Sequence, residues 1–301
     1  MPASQATPPG SYVVLAIATA MVTLPFLNPV HPLPLPTFHE EAGAMALGLC
    51  ALLLSGLSLD TLAIANIAPA IAVLGALMLL QSVVMPLPSS EIAQLHGLVV
   101  LWASAMACVG ATLRRGLPEE VPHAWLATGL VLAALVSAAA SWHDPLAFLR
   151  QPNLHANYEV VGMASLAYLW VSGRVRPRLA LAGMLPMIAS VGIAASRASV
   201  LEMAWVAGVM AVFLVRGRGF RMRRVVGYTA LVALIAAAVI LALSTGPSAI
   251  FLGKLGAAFH SRELHVRYVE WEAALRAWMA APWFGVGAGG YPWAQFTTET
   301  P

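Results

Sequence analysis

The chain has 301 residues, of which 60% are hydrophobic and 10% charged, with mean hydropathy +0.80 and a formal net charge of +3. Soluble domains carry roughly 25% charged residues, so this composition excludes an ordinary soluble domain, and the low charge excludes an intrinsically disordered chain. The apolar residues come in long blocks instead of short alternating strands, which disfavours a β-barrel and leaves helices in a bilayer.

A helix needs about 20 apolar residues to cross the hydrocarbon core. On that measure the sequence predicts spans at Tyr12–Leu27, Glu41–Ser58, Leu62–Val84, Glu91–Leu113, His123–Ala140, Leu154–Ser172, Leu179–Ala195, Val200–Val215 and Val225–Ser244. The expected fold is an all-α, polytopic transmembrane helix bundle of about nine spans over residues 1–244, followed by a periplasmic loop segment at 245–301. The first span is short and runs into the proline-rich stretch from Pro25 to Pro36. No basic region precedes it and no small-residue cleavage site follows it, so it reads as a retained helix and not as a signal peptide.

Orientation follows from the arginines, because cytoplasmic loops carry the excess of Lys and Arg. The basic loops are Arg114-Arg115, Arg174 to Arg178, and Arg216 to Arg224, which holds five arginines. Neighbouring basic loops are separated by two predicted spans, so all three fall on one side. That side is taken as the cytoplasm, with the N-terminus, and the protein as one of a bacterial inner membrane. Membrane insertion accounts for the basic pI near 9.1 without nucleic acid, and no nucleic-acid module is present. Cys50 and Cys108 fall inside spans and read as buried packing residues, with no disulfide predicted.

The opposite face carries the chemistry. Arg150-Gln-Pro-Asn-Leu-His-Ala-Asn157 ends an outer loop and begins a span; its amides, imidazole and guanidinium are expensive to bury and are expected to line a hydrated cavity. Asn153 also reads as a helix cap and Gln151-Pro152 as a turn. Arg197 sits in a short turn on the side where arginine is depleted, which fits either an anionic partner or a salt bridge to Glu202. Glu159 and Glu202, carboxylates within spans, each call for a partner.

The last 57 residues after Ser244 contain no apolar span. From Arg262 to Ala280 there is no Gly or Pro, and Val266, Val269, Ala273 and Ala277 recur at helical spacing, which predicts an amphipathic helix ended by Ala281-Pro282. Gly285-Val-Gly-Ala-Gly-Gly290 follows a proline instead of a strand and opens no helix, so it reads as a glycine-rich turn and not as a nucleotide loop.

Four stretches resemble the bacterial O-antigen ligase superfamily, and within it the protein O-oligosaccharyltransferases of pilin-type glycosylation. Leu24-Pro-Phe-Leu-Asn-Pro-Val-His31 with Pro36-Thr-Phe-His-Glu40 looks like the first outer loop of these ligases. Leu149-Arg-Gln-Pro-Asn153 looks like their Arg-Gln-Pro-Asn signature, Ser196-Arg197 their Ser-Arg turn, and Arg267-Tyr-Val-Glu-Trp271 through Pro282-Trp-Phe-Gly-Val-Gly287 the opening of their large periplasmic loop.

The resemblance implies an undecaprenyl-diphosphate-linked glycan as donor and transfer on the periplasmic side, to a pilin-like protein or, alternatively, to lipid A core. It implies no cofactor and no metal, because the diphosphate leaving group is already activated. Carried over by residue, Arg197 and Arg267 hold the diphosphate and Gln151 positions donor or acceptor; Arg150, Asn153, His155 and Arg262 are the neighbouring candidates for substrate binding. An O-antigen polymerase is the rival reading within the class. A transporter or flippase is the rival from another class, disfavoured because the polar groups cluster at one face and no repeat is visible.

The resemblance departs from the family pattern twice. Leu154 stands where the family has His directly after Arg-Gln-Pro-Asn, with His155 one place later and about 100° around a helix. The chain also stops at Pro301, before the family's His-x-His-Asn motif, which reads as C-terminal truncation. That missing histidine is the family's candidate general base, and His260 and His265 do not match its motif.

Overall fold

In a computed structural model, placement is described for residues 9–29, 38–58, 62–84, 90–144, 148–149, 151–194, 199, 202–209, 262–282 and 285–286, with backbone alone for 262–267. Among these residues the secondary structure is entirely helical. The helices are α1 (Pro9–Met21), α2 (Phe38–Ser58), α3 (Ala68–Val84), α4 (Ser90–Gly116), α5 (Glu120–Ser141), α6 (Pro152–Val171), α7 (Pro177–Ala194) and α8 (Arg262–Ala280), with a 3-10 turn at Pro25–Leu27 after α1 and a helical stretch at 202–209.

Among the described residues, five segments are long and apolar enough to cross a membrane: Gly10–Leu27, His39–Leu57, Ser90–Gly116, Glu120–Ser141 and Pro177–Ala194. Helix α3 is apolar but shorter, and α6 is helical throughout its predicted span yet more polar. The predicted eighth span is described only at 202–209, and the ninth lies outside the described residues.

Local signals account for several helix ends. Glu40 and Glu41 open α2 and Glu91 opens α4, where carboxylates complement the helix dipole; Arg114 and Arg115 close α4 at its negative end. Pro152 occupies the first turn of α6, where its missing N–H costs nothing, with Gln151 extended before it. Gly173, at φ 77°, ends α6, and the Arg174 N–H bonds back to the Leu169 carbonyl.

The predicted third span differs at its start. Helix α3 begins at Ala68, six residues later than expected, with Pro69 in its first turn. The preceding non-helical backbone is satisfied from α4: the Ala63 N–H donates to Thr112 Oγ1 (2.9 Å), and Ser104 Oγ donates to the Ala68 carbonyl (2.7 Å). Irregular backbone at membrane depth is tolerated when protein groups supply its partners in this way.

The helices gather in two compact units, one comprising residues 1–11, 52–116 and 256–301, the other 12–51 and 117–255. In the first, α3 and α4 approach closely at glycines. A Cβ on Gly75 would stand 2.9 Å from Leu101 Cγ and one on Gly97 2.8 Å from Leu79 Cδ2. In the second, α6 packs between α5 and α7 around Val131, Ala134, Val160, Met163, Met187 and Val191. A Cβ on Gly162 would collide with Ala134 of α5, so the two backbones are held at contact distance by the small residues of both. Phe26 of the 3-10 turn stacks at 5.4 Å on Tyr158 of α6, whose hydroxyl donates to the Val22 carbonyl (3.3 Å).

Burial is sorted by size. Buried positions are rich in Ala and Ser, whereas Leu53, Leu57, Val73, Leu77, Leu80, Val83 and Leu98 are exposed. Water-soluble proteins bury large apolar side chains; large apolar residues outside and small ones between helices is the arrangement of helices that meet lipid. The two cysteines depart from the expected burial: Cys50 is exposed on α2 and Cys108 half-buried on α4.

Candidate functional site

The polar residues predicted at 150–157 are carried by the first two turns of α6 and divide by side. Gln151 and Asn153 are exposed. Gln151 precedes the helix in extended conformation and its side chain makes no capping bond to it. His155, expected to line the same cavity, instead lies at 0% exposure in the interior.

Its surroundings come from three helices. His155 Nδ1 is 3.2 Å from Ser137 Oγ of α5, and Nε2 is 2.7 Å from Ser190 Oγ of α7. A neutral imidazole donates from one nitrogen and accepts at the other, and a hydroxyl does both, so this ring is satisfied in either tautomer. One turn further along α6, Glu159 is also at 0% exposure, its Oε1 4.0 Å from His155 Nε2. Neither carboxyl oxygen of Glu159 has a hydrogen-bond partner. The Ser137 hydroxyl is near enough to act on the carboxyl as well as on His155, donating to one while it accepts from the other. The charged or chargeable side chain beside Glu159 is thus a histidine on its own helix.

The other side of α6 faces the segment that follows Arg197. Ser199 Oγ stands 2.7 Å from the Asn157 amide. With the amide nitrogen on that side, Asn157 also reaches Glu202 Oε2 at 3.1 Å and the Asn153 carbonyl at 3.0 Å. Asn157 thus ties the opening of α6 to residues 199 and 202, two and five positions beyond Arg197.

Arg150 and Arg197 themselves lie outside the described residues. Arg262 and Arg267 are on the backbone of α8, Arg262 at its first position. That helix has the predicted limits, and its described apolar positions divide between buried and exposed. Ala273 and Ala277 are buried, Val269 is exposed, and Tyr268, Trp271, Leu275 and Trp278 form an exposed face on the other side. Gly285, at φ 64°, takes the left-handed conformation of a glycine turn.

Sequence reading missed Ser137 and Ser190. Serines scattered in apolar helices carry no pattern of their own, and the only available signal was the i, i+4 spacing of His155 and Glu159, which places two costly groups on one strip of α6. Among the described residues no group of three or more His, Cys, Asp or Glu is arranged to hold a metal ion. At the far end of α6, an open groove of about 420 Å³ is lined by Ala164, Ala167, Tyr168, Val171, Trp205 and Val209. Its walls offer almost no polar groups.

Compared with known proteins, the chain matches no family model, no curated protein and no solved structure.

Proposed function

We propose that the protein is a glycosyltransferase of the O-antigen ligase type: a bacterial inner-membrane protein of about nine spans that transfers an undecaprenyl-diphosphate-linked oligosaccharide to a protein Ser or Thr hydroxyl on the periplasmic side. Lipid A core is the alternative acceptor. In this reading the N-terminus is cytoplasmic, residues 150–157 and 197 face the periplasm, and the tail after Ser244 belongs to a periplasmic loop.

The observation that carries the reading is the junction at Asn157. The Arg-Gln-Pro-Asn stretch and the Ser-Arg turn are ligase-like elements separate in sequence, and Asn157 bonds the opening of α6 to Ser199, two positions after Arg197. In this reading the two together supply what the reaction needs. The acceptor oxygen attacks the sugar C1, the bond from C1 to the phosphate oxygen breaks, and undecaprenyl diphosphate leaves with the bonding pair. A guanidinium fork makes bidentate, charge-assisted bonds to phosphate oxygens and stabilises the charge that develops there, the role assigned to Arg197 and Arg267. Gln151, exposed at the helix start, positions the donor or the acceptor hydroxyl.

The test is glycan transfer to a pilin-like acceptor in a ligase-deficient Gram-negative host, using both the 301-residue chain and the chain continued by the genomic sequence that follows it. Transfer by at least one form is expected, with loss of transfer but normal membrane insertion in Arg197→Ala and Arg267→Ala. Transfer retained in both variants overturns the diphosphate clamp, and transfer by neither form overturns the ligase reading.

A further inference from the structure

We propose that His155 and Glu159 form a proton-transfer site inside the helix bundle, in which the pair holds one proton that passes between His155 Nε2 and Glu159 Oε1. Three observations carry this. Both side chains are at 0% exposure, the carboxyl oxygens lack hydrogen bonds, and the imidazole is held at both nitrogens by hydroxyls that either donate or accept. Burying a lone carboxylate costs several kcal/mol, and removing a partner from a buried pair costs a comparable amount. A pair that shares one proton is neutral overall wherever that proton sits.

The transfer balances without a further reactant. In one state the ring carries hydrogens on both nitrogens, Nε2–H donates to Ser190 Oγ, Nδ1–H donates to Ser137 Oγ, and Glu159 is ionised. In the other, the Nε2–H bond has broken with its electron pair left on nitrogen, an O–H bond has formed at Oε1, and the Ser190 hydroxyl has rotated to donate to Nε2. The present 4.0 Å separation needs a movement of only about 1 Å to reach a charge-assisted hydrogen bond. The helices packed around the pair contribute hydroxyls at this level, Ser137 and Ser141 from α5 and Ser190 from α7. Among the described residues, the other titratable groups that interact with it are Tyr158, adjacent on α6, and Asp144, just beyond α5. Because His155 lies one turn from Gln151, the site is placed to exchange a proton with chemistry at the start of α6.

The experiment is infrared and histidine-nitrogen magnetic resonance spectroscopy of the full chain in lipid nanodiscs, with Glu159→Gln and Ser190→Ala as variants and thermal melting as the check on folding. The wild type is expected to show a protonated-carboxyl stretch that moves on exchange into D2O and is lost in Glu159→Gln, together with a change in the His155 ring signals in that variant. Ser190→Ala, which keeps both titrating groups but removes the acceptor at Nε2, is expected to strengthen the carboxyl stretch at the expense of the doubly protonated ring. Absence of the stretch, its persistence in Glu159→Gln, or unchanged ring signals in Glu159→Gln overturns the proposal. If Glu159→Gln does not fold, an unchanged balance in Ser190→Ala overturns it. No glycan transfer enters either measurement, so the outcome is independent of the ligase reading.

Discussion

Removing the His155 ring would strand two hydroxyls at once, because Ser137 and Ser190 both hydrogen-bond to it. Each unpaired buried hydroxyl costs about 1–3 kcal/mol, offset where a serine turns back to a carbonyl one turn earlier on its own helix, and the vacated volume adds a cavity term. His155→Ala is therefore expected to destabilise the bundle by roughly 2–4 kcal/mol, read as a clear fall in the detergent melting temperature. Gln151→Ala should behave oppositely. Its side chain is exposed and caps nothing, so stability should change by less than about 0.5 kcal/mol while transfer activity falls. Equal loss of stability in the two variants would place Gln151 in the packing and not in the site.

Among the helices, α6 is the element on which the arrangement depends. It is long enough for a span but carries polar groups that keep it below a span's hydropathy, and its neighbours α5 and α7 cover it, so its imidazole and carboxyl face protein and its outer turn presents amides. Close approach of α5 and α6 requires that position 162 have no side chain. Gly162→Leu is expected to push the two helices apart and cost about 3 kcal/mol, whereas Gly110→Leu on α4, where a Cβ would meet nothing within 4 Å, should be close to neutral. Similar melting temperatures for the two variants would refute the tight contact. The limits of α8 were legible in the sequence because they depend on local chemistry: no Gly or Pro for 19 residues, then Pro282. Its contact face was not legible. Apolar spacing alone selected Val266, Val269, Ala273 and Ala277; among the described side chains of this helix, tertiary packing buries the small Ala273 and Ala277 and leaves Val269 and the larger Tyr268, Trp271 and Trp278 outside.

For the molecule as a whole, the decisive question is whether α6 crosses the bilayer despite its polarity. Five other described segments meet the length and hydropathy of a span by themselves, while α6 reaches membrane depth only if the bundle shields its polar strip. With Cys50 and Cys108 replaced by serine, cysteines placed at Gln151 and Arg176 should react from opposite sides: an impermeant maleimide should label position 151 in intact spheroplasts and position 176 only after permeabilisation. Labelling of both from one side would remove α6 from the set of spans and, with it, the proposed orientation of the site.

Composition and the length of apolar blocks determined from sequence alone that the protein is helical and built for a membrane, because the cost of unpaired backbone in hydrocarbon leaves few alternatives and depends on local runs of residues. The same local signals placed the starts of α6 and α8 within two residues of their observed positions. Only the tertiary structure decided that Glu159 faces His155, that Ser137 and Ser190 hold the ring, that Thr112 satisfies Ala63, and that Asn157 joins the opening of α6 to Ser199. Those pairings depend on how far each helix is rotated and how closely small residues let the backbones approach. They are set by packing between distant segments, for which a linear pattern of polar and apolar residues carries no code.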